Sequence, residues 1–215
     1  GAFRMPVQWV NRPENPRDKE MHDFRGFSGQ IAGGIVKKGD PVLILPSGFR
    51  SHVKDIWTYD GSLAEAFCPQ SVTIELEDDI DISRGDIIVG MEDLPGVASD
   101  LRGKVCWMHP KPLQKGKKYF LKHSTQTVQA MITSLEYKID IQTFDPIEDA
   151  DELIVNEIGE IKIRTSKPIV YDAYSQNRLT GSFILMEQGT NQTVAAGMLS
   201  APMQAFDPEF TDYTI

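Results

Sequence analysis

Apolar and polar residues alternate along two stretches of this chain. Val72, Ile74 and Leu76 interleave with Thr73, Glu75 and Glu77. Leu135, Tyr137, Ile139 and Ile141 interleave with Glu136, Lys138, Asp140 and Gln142. A period of two over four to eight residues predicts strands with one wet face. Two runs are apolar throughout, Val42-Leu43-Ile44-Leu45 and Phe183-Ile184-Leu185-Met186, and read as strands covered on both faces. Turn formers punctuate the first half at strand spacing: Gly39-Asp40, Pro46-Ser47-Gly48, Asp60-Gly61 and Arg84-Gly85-Asp86. Gly116, Gly159, Gly181 and Gly189 do so in the second half. No segment carries a sustained 3.6-residue stripe. One helical turn is expected around Ala150-Asp151-Glu152-Leu153. Many short strands favour closed architectures, because closure removes exposed edges. The pattern predicts an all-β chain of two tandem antiparallel β-barrels. Leu94-Pro95-Gly96 is the natural break, giving domains over 1–97 and 98–215.

Composition narrows this further. The 215 residues suffice for two small cores, and the 17 glycines and 13 prolines fit short elements. The net charge is -9, with residues 1–100 at -7 and 101–215 at -2. That balance argues against generic nucleic-acid binding through phosphate contacts. No apolar run approaches the roughly 18 residues of a membrane-spanning helix. Nothing at the amino end has the pattern of a signal peptide, and Gly1-Ala2 reads as a cleavage scar or truncation point. Cys68 and Cys106 make no disulfide framework, so reduced thiols in a cytoplasmic protein are the expectation.

Catalytic motifs are absent. Gly103-Lys104 and Gly116-Lys117 lack the Ser or Thr that a phosphate-binding loop places next. The glycine-rich stretch Gly26 to Gly34 lacks the strand-then-helix setting of a phosphate cradle and reads instead as a bulge or barrel corner. His22, His52, His109 and His123 form no metal-ligand pair with one another, and Cys106 with His109 stands alone. Glu77, Asp78, Asp79 and Asp81 lack EF-hand spacing and read as a solvated turn. No Gly-x-Ser-x-Gly elbow occurs. Catalytic, nucleotide-binding and metal residues are therefore all expected to be none.

One charge pattern stands out. Leu101 to His123 carries Arg102, Lys104, Lys111, Lys115, Lys117, Lys118 and Lys122 and no acidic residue. Glu136 to Glu160 carries nine acidic residues and one basic. Either these are two solvated faces that neutralise each other, or the basic stretch meets an acidic partner surface or an anionic ligand.

Specific strings carry a family resemblance. Met5-Pro6-Val7-Gln8-Trp9-Val10-Asn11-Arg12-Pro13 and Asp23-Phe24-Arg25-Gly26-Phe27-Ser28-Gly29 come first. Asp79-Ile80-Asp81-Ile82-Ser83-Arg84-Gly85-Asp86 and Asn156-Glu157-Ile158-Gly159 follow, then Asn177-Arg178-Leu179-Thr180-Gly181-Ser182-Phe183-Ile184 and Thr190 to Met198. Together they resemble the second and third domains of the sulfate adenylyltransferase large-subunit family, which are GTPases of the elongation-factor type. The resemblance implies two barrels like domains two and three of elongation factor Tu. It also implies that GTP and magnesium belong to a first domain outside this chain, since no Asn-Lys-x-Asp motif is present. The implied partners are that GTPase domain and a small catalytic subunit that joins ATP and sulfate into adenosine 5'-phosphosulfate and pyrophosphate. The full heterodimer is then a nucleotidyltransferase, and this part is structural and coupling.

On that reading Asp23, Phe24, Arg25, Arg84, Asn156, Glu157 and Asn177 are candidate interface or loop-anchoring residues. Arg25 and Arg84 flank glycines, where a guanidinium can bind carbonyls or carboxylates. Phe24, Phe27, Trp57 and Phe183 are expected in the core. The alternative is the matching domain pair of a translation elongation factor that binds aminoacyl-tRNA, disfavoured by the acidic first half. A self-contained barrel enzyme or flavin module would need a pocket that no spacing suggests.

Overall fold

The computed structural model describes residues 1–12 and 24–209 and contains strands and turns but no helix among them. The chain divides into two compact units, Gly1–Leu94 with the segment from Ala205 on, and Pro95–Gln204. Within the first unit, Glu209 of that returning segment receives a 2.8 Å hydrogen bond from Arg50. No helix among the described residues is long and apolar enough to cross a membrane.

The first unit holds strands β1 (Arg4–Pro6), β2 (Trp9–Asn11), β3 (Gly26–Gln30), β4 (Ile35–Lys37), β5 (Pro41–Leu45), β6 (Phe49–Thr58), β7 (Gly61–Leu63), β8 (Glu65–Phe67), β9 (Ser71–Leu76) and β10 (Ile87–Gly90). Eight form one antiparallel sheet, in the order β1-β10-β5-β6-β9-β3-β2 with β7 beside β6, while β4 and β8 pair separately. The sheet curls until its ends approach. Arg4 bridges to Gly33, with Arg4 N donating to the Gly33 carbonyl at 3.0 Å and Ala32 N to the Arg4 carbonyl at 2.7 Å. Met5, Phe27, Ile44, Ile56, Ile74 and Ile88 fill the interior, each at most 1% exposed. The alternation in β9 appears as expected, with Val72, Ile74 and Leu76 buried. The run Val42 to Leu45 is buried along its whole length.

The glycine-rich stretch is explained by packing. A Cβ on Gly29 would run into the Pro6 carbonyl, and one on Gly26 into Thr73. Close strand approach therefore requires these two glycines.

The second unit holds β11 (Gly96–Trp107), β12 (Lys118–His123), β13 (Gln126–Ile139), β14 (Pro146–Ile147), β15 (Ile158–Tyr171), β16 (Ser182–Glu187) and β17 (Thr193–Leu199). The order β12-β16-β17-β11-β15-β13 closes because β13 pairs back onto β12, making a six-stranded barrel, and β14 folds onto β13. Closure leaves no free edge among those six strands. Trp107, Leu121, Ile132, Leu153, Ile161 and Leu185 pack inside, each at most 1% exposed. Trp107 meets Tyr119 edge to face at 6.0 Å, and its indole N–H donates to the Lys111 carbonyl at 2.8 Å.

Three expectations change. The alternation expected from Leu135 to Gln142 shows in burial only at Leu135, because the register shifts after it and the strand ends at Ile139, leaving Ile141 67% exposed. Ala150 to Leu153 is not helical but an irregular segment. Leu153 is fully buried there, and its carbonyl accepts Leu113 N at 3.0 Å, so a tertiary contact overrides the local tendency. The run Phe183 to Met186 is covered on one face only. Phe183 and Leu185 point into the barrel, while Ile184 stays 39% exposed.

Candidate functional site

A concave groove of about 740 Å³ lies on the outer face of the first unit, lined by residues that include Phe24, Ser28, Trp57, Tyr59, Thr73 and Glu75. Strand register explains its shape. Trp9 pairs with Ser28, Ser28 with Thr73, and Thr73 with Trp57, so the four form one row across β2, β3, β9 and β6. Two indoles thus stand at the ends of a floor made by two hydroxyls. At ordinary strand spacing the row spans about 14 Å. Ser28 Oγ and Thr73 Oγ1 are 2.7 Å apart and satisfy each other. Trp9 is 66% exposed and Tyr59, at the β6–β7 turn, is fully exposed. Trp57 lies outside the core expected for it. Its indole N–H reaches Glu75 Oε2 at 3.5 Å, and Lys54 Nζ holds Glu75 Oε1 at 3.1 Å. Phe27 and Phe183 are core residues, whereas Phe24 is half-buried at the groove.

Aromatic walls around small hydroxyls suit a planar group or an extended chain. The groove holds no nucleophile beside a base. Among the described residues no group of three or more His, Cys, Asp or Glu could hold a metal ion. Among the described residues the glycine-rich stretch offers no cradle for GTP and magnesium. It is strand, and the space beside Gly26 and Gly29 is already filled.

The residues singled out from the sequence are distributed over both units. Asp23 lies outside the described residues. Arg25 donates to Asp79 Oδ1 and to the Ile80 carbonyl, both at 2.9 Å, tying β3 to the acidic turn after β9. Arg84 donates to the Gln8 carbonyl at 3.3 Å. Asn156 takes a positive φ of 68°, and its N–H donates to the Trp107 carbonyl at 2.8 Å. Glu157 accepts Lys138 Nζ at 3.0 Å and Ile154 N at 2.9 Å. Asn177 Oδ1 accepts the N–H groups of Leu179 and Thr180, both at 3.0 Å. The local side-chain bonds of Glu157 and Asn177 set turns.

The basic stretch is partly neutralised within its own barrel. Arg102 reaches Glu160 at 3.0 Å and Glu136 at 3.8 Å. Lys117 pairs with Glu187 at 3.1 Å and lies 5.5 Å from the Tyr119 ring centre. The Lys117 ammonium and the Thr190 hydroxyl hold the Glu187 carboxyl below its ordinary range. Lys104, Lys111, Lys115, Lys118 and Lys122 are exposed and make no ion pair among the described residues.

Comparison with known proteins decides the family. The chain is 44% identical over 216 residues to sulfate adenylyltransferase subunit 1 of Aliarcobacter butzleri, covering 99% of this chain and 44% of that protein. It is 47% identical over 197 residues to the bifunctional enzyme CysN/CysC of Rhodopirellula baltica, covering 92% of this chain and 29% of that protein. The chain belongs to the sulfate adenylyltransferase subunit 1 family. It spans less than half the length of these relatives. The GTP-eEF1A C-terminal domain-like family matches residues 100–200, most of the second unit. Among solved structures, Sup35 complexed with GDP superposes with a TM-score of 0.81 at 17% identity, over 95% of this chain and 48% of that one. At that identity the likeness is one of fold, and it agrees with the elongation-factor-like barrels read from the sequence.

The groove was not legible from sequence. Trp9 and Trp57 are 48 positions apart, and only the register of four strands aligns them.

Proposed function

We propose that this chain is the barrel portion of the GTP-dependent large subunit of a sulfate adenylyltransferase in the cytoplasm. In the whole enzyme, GTP and magnesium belong to a separate domain. The small catalytic subunit joins ATP and sulfate into adenosine 5'-phosphosulfate and pyrophosphate. The barrels perform no bond-making step. They hold the GTPase domain and the catalytic subunit in register, so that a nucleotide-driven change in one biases the other. The observation that carries this reading is the 40–45% identity across 92–99% of the chain to proteins named sulfate adenylyltransferase subunit 1. The fold supports it. A barrel closed by β-pairing is a stiff body whose outward residues and loops are free for recognition.

The test is a calorimetric titration of the 215-residue chain with the small sulfate adenylyltransferase subunit, beside a parallel titration with aminoacyl-tRNA. Binding to the small subunit and not to tRNA is expected. Preferential binding to aminoacyl-tRNA would transfer the chain to the elongation-factor reading.

A further inference from the structure

The outer face of the second barrel carries an apolar groove of about 560 Å³ with cations at its edge and no carboxylate among its lining residues. Two neighbouring rows of paired residues build it. Lys122 pairs with Ile184, Ile184 with Ala196, and Ala196 with Cys106. In the next row Ser182 pairs with Met198, and Met198 with Lys104. The small Ala196 forms the low point between Ile184 and Cys106. Leu179 and Tyr174 line it as well. Leu179 sits on the turn that the Asn177 side chain holds.

Three of these residues, Ile184, Met198 and Leu179, are 39%, 42% and 52% exposed. Isolated exposed apolar residues are ordinary, but three lining one concavity are a patch. Ile184 lies in the run that is apolar on both faces while only one face is covered. Lys104 and Lys122 stand at opposite corners without an ion pair among the described residues, and the Arg178 guanidinium lies 6.0 Å from the Tyr174 ring centre. An apolar floor with a cationic rim is complementary to an apolar side chain flanked by carboxylates.

We propose that this groove is the docking site for an acidic segment of the small catalytic subunit, one that inserts an apolar side chain between Lys104 and Lys122. The proposal rests on the functional reading above. Charge complementarity selects an acidic segment with an apolar side chain, and the functional reading supplies the subunit that carries it. Three cations flank the groove and its lining contains no acid, so an uncharged apolar segment would leave the rim unused and a basic one would be repelled.

The experiment compares the intact chain with a Lys104→Glu/Lys122→Glu variant and with Ile184→Ser, each titrated with the small subunit at low and high salt. Lys37→Ala, an exposed position on β4 of the first unit, is the control. All four mutated positions are solvent-facing, and circular dichroism and urea midpoints confirm folding. The proposal expects the charge reversal and Ile184→Ser each to weaken binding by at least about tenfold. It expects salt to weaken the intact chain and Lys37→Ala alike. If the intact chain binds and both groove variants bind equally well, the docking site lies elsewhere and the functional reading stands. If the intact chain does not bind the small subunit, both fall. Self-association of the chain, or binding to anionic phosphatidylglycerol vesicles, that the same variants abolish while small-subunit binding persists would also overturn the proposal.

Discussion

Phe183 and Gly197 are direct partners across β16 and β17, and the Phe183 ring occupies the place where a Cβ on Gly197 would sit. The same ring lies against Gly103 on β11. One aromatic side chain, 3% exposed, thereby fills the inside of the wall whose outside is the apolar groove. Gly197→Ala must push that ring into a packed core, at a cost of about 1–3 kcal/mol. Urea unfolding should show a lower midpoint with an unchanged slope. Phe183→Leu combined with Gly197→Ala should recover part of the loss, because the space is shared.

His123 gives the barrel a pH dependence. Its side chain is buried, and Nε2 lies 2.7 Å from the Thr180 carbonyl, so Nε2 carries the proton and donates it. Burial pushes its pKa below the ordinary 6.5, outweighing the upward pull of that carbonyl and of the Asp172 carboxylate. The unfolded chain therefore takes up the second imidazole proton, which makes the ring cationic, more readily than the folded one. The stabilising contribution is complete above the ordinary histidine range and declines as pH falls below about 6.5. Urea midpoints at pH 7.5 and 5.5 should differ, the lower pH being less stable. In His123→Gln that difference should shrink.

Arg25 separates a hydrogen bond from an ion pair. Its partner Asp79 is 90% exposed at the side chain, so the ionic part is screened. The bond to the Ile80 carbonyl is partly buried and orders the turn. Asp79→Asn should change stability by less than about 0.5 kcal/mol. Arg25→Ala should cost about 1 kcal/mol, and added salt should not erase the cost.

The cross-strand pairs around Glu136 test whether the barrel neutralises its own charges. The Ser134 hydroxyl, with Lys162 and Arg102 in support, holds the Glu136 carboxyl below its ordinary range. The position is close to solvent, so Glu136→Gln should cost less than about 1 kcal/mol and cost still less in high salt. A larger loss in urea unfolding would mean that Arg102 and Lys162 depend on this carboxylate for their placement.

The sequence was most readable where one face of a strand is wet. The alternation in β9 translates directly into burial, whereas that from Leu135 to Gln142 does so only at Leu135, because a register shift follows it, Tyr137 and Ile139 are half-buried like Glu136 and Lys138, and Ile141 is exposed beyond β13. It was less readable where a feature depends on pairing between distant strands. The row from Trp9 to Trp57 needs three registers, and none is encoded locally. The run Phe183 to Met186 misled for a related reason. Continuous apolarity shows that both faces avoid water but not whether the cover lies within this chain. The turn expected at Ala150 failed because a buried Leu153 outweighs a weak helical tendency. The glycines at 26 and 29 were recognised as structural, but their specific cause, a carbonyl and a methyl group pressing on the backbone, required the packed sheet.

The proposed role of the barrels is to couple GTP hydrolysis to adenosine 5'-phosphosulfate formation without performing either. The most direct measurement uses the full-length large subunit with its small partner and follows both GTP hydrolysis and adenosine 5'-phosphosulfate formation. The comparison is between the intact subunit and one from which these 215 residues have been removed. The account predicts that the shortened subunit still hydrolyses GTP but no longer raises adenosine 5'-phosphosulfate formation. Full GTP-dependent stimulation without the barrels would contradict it.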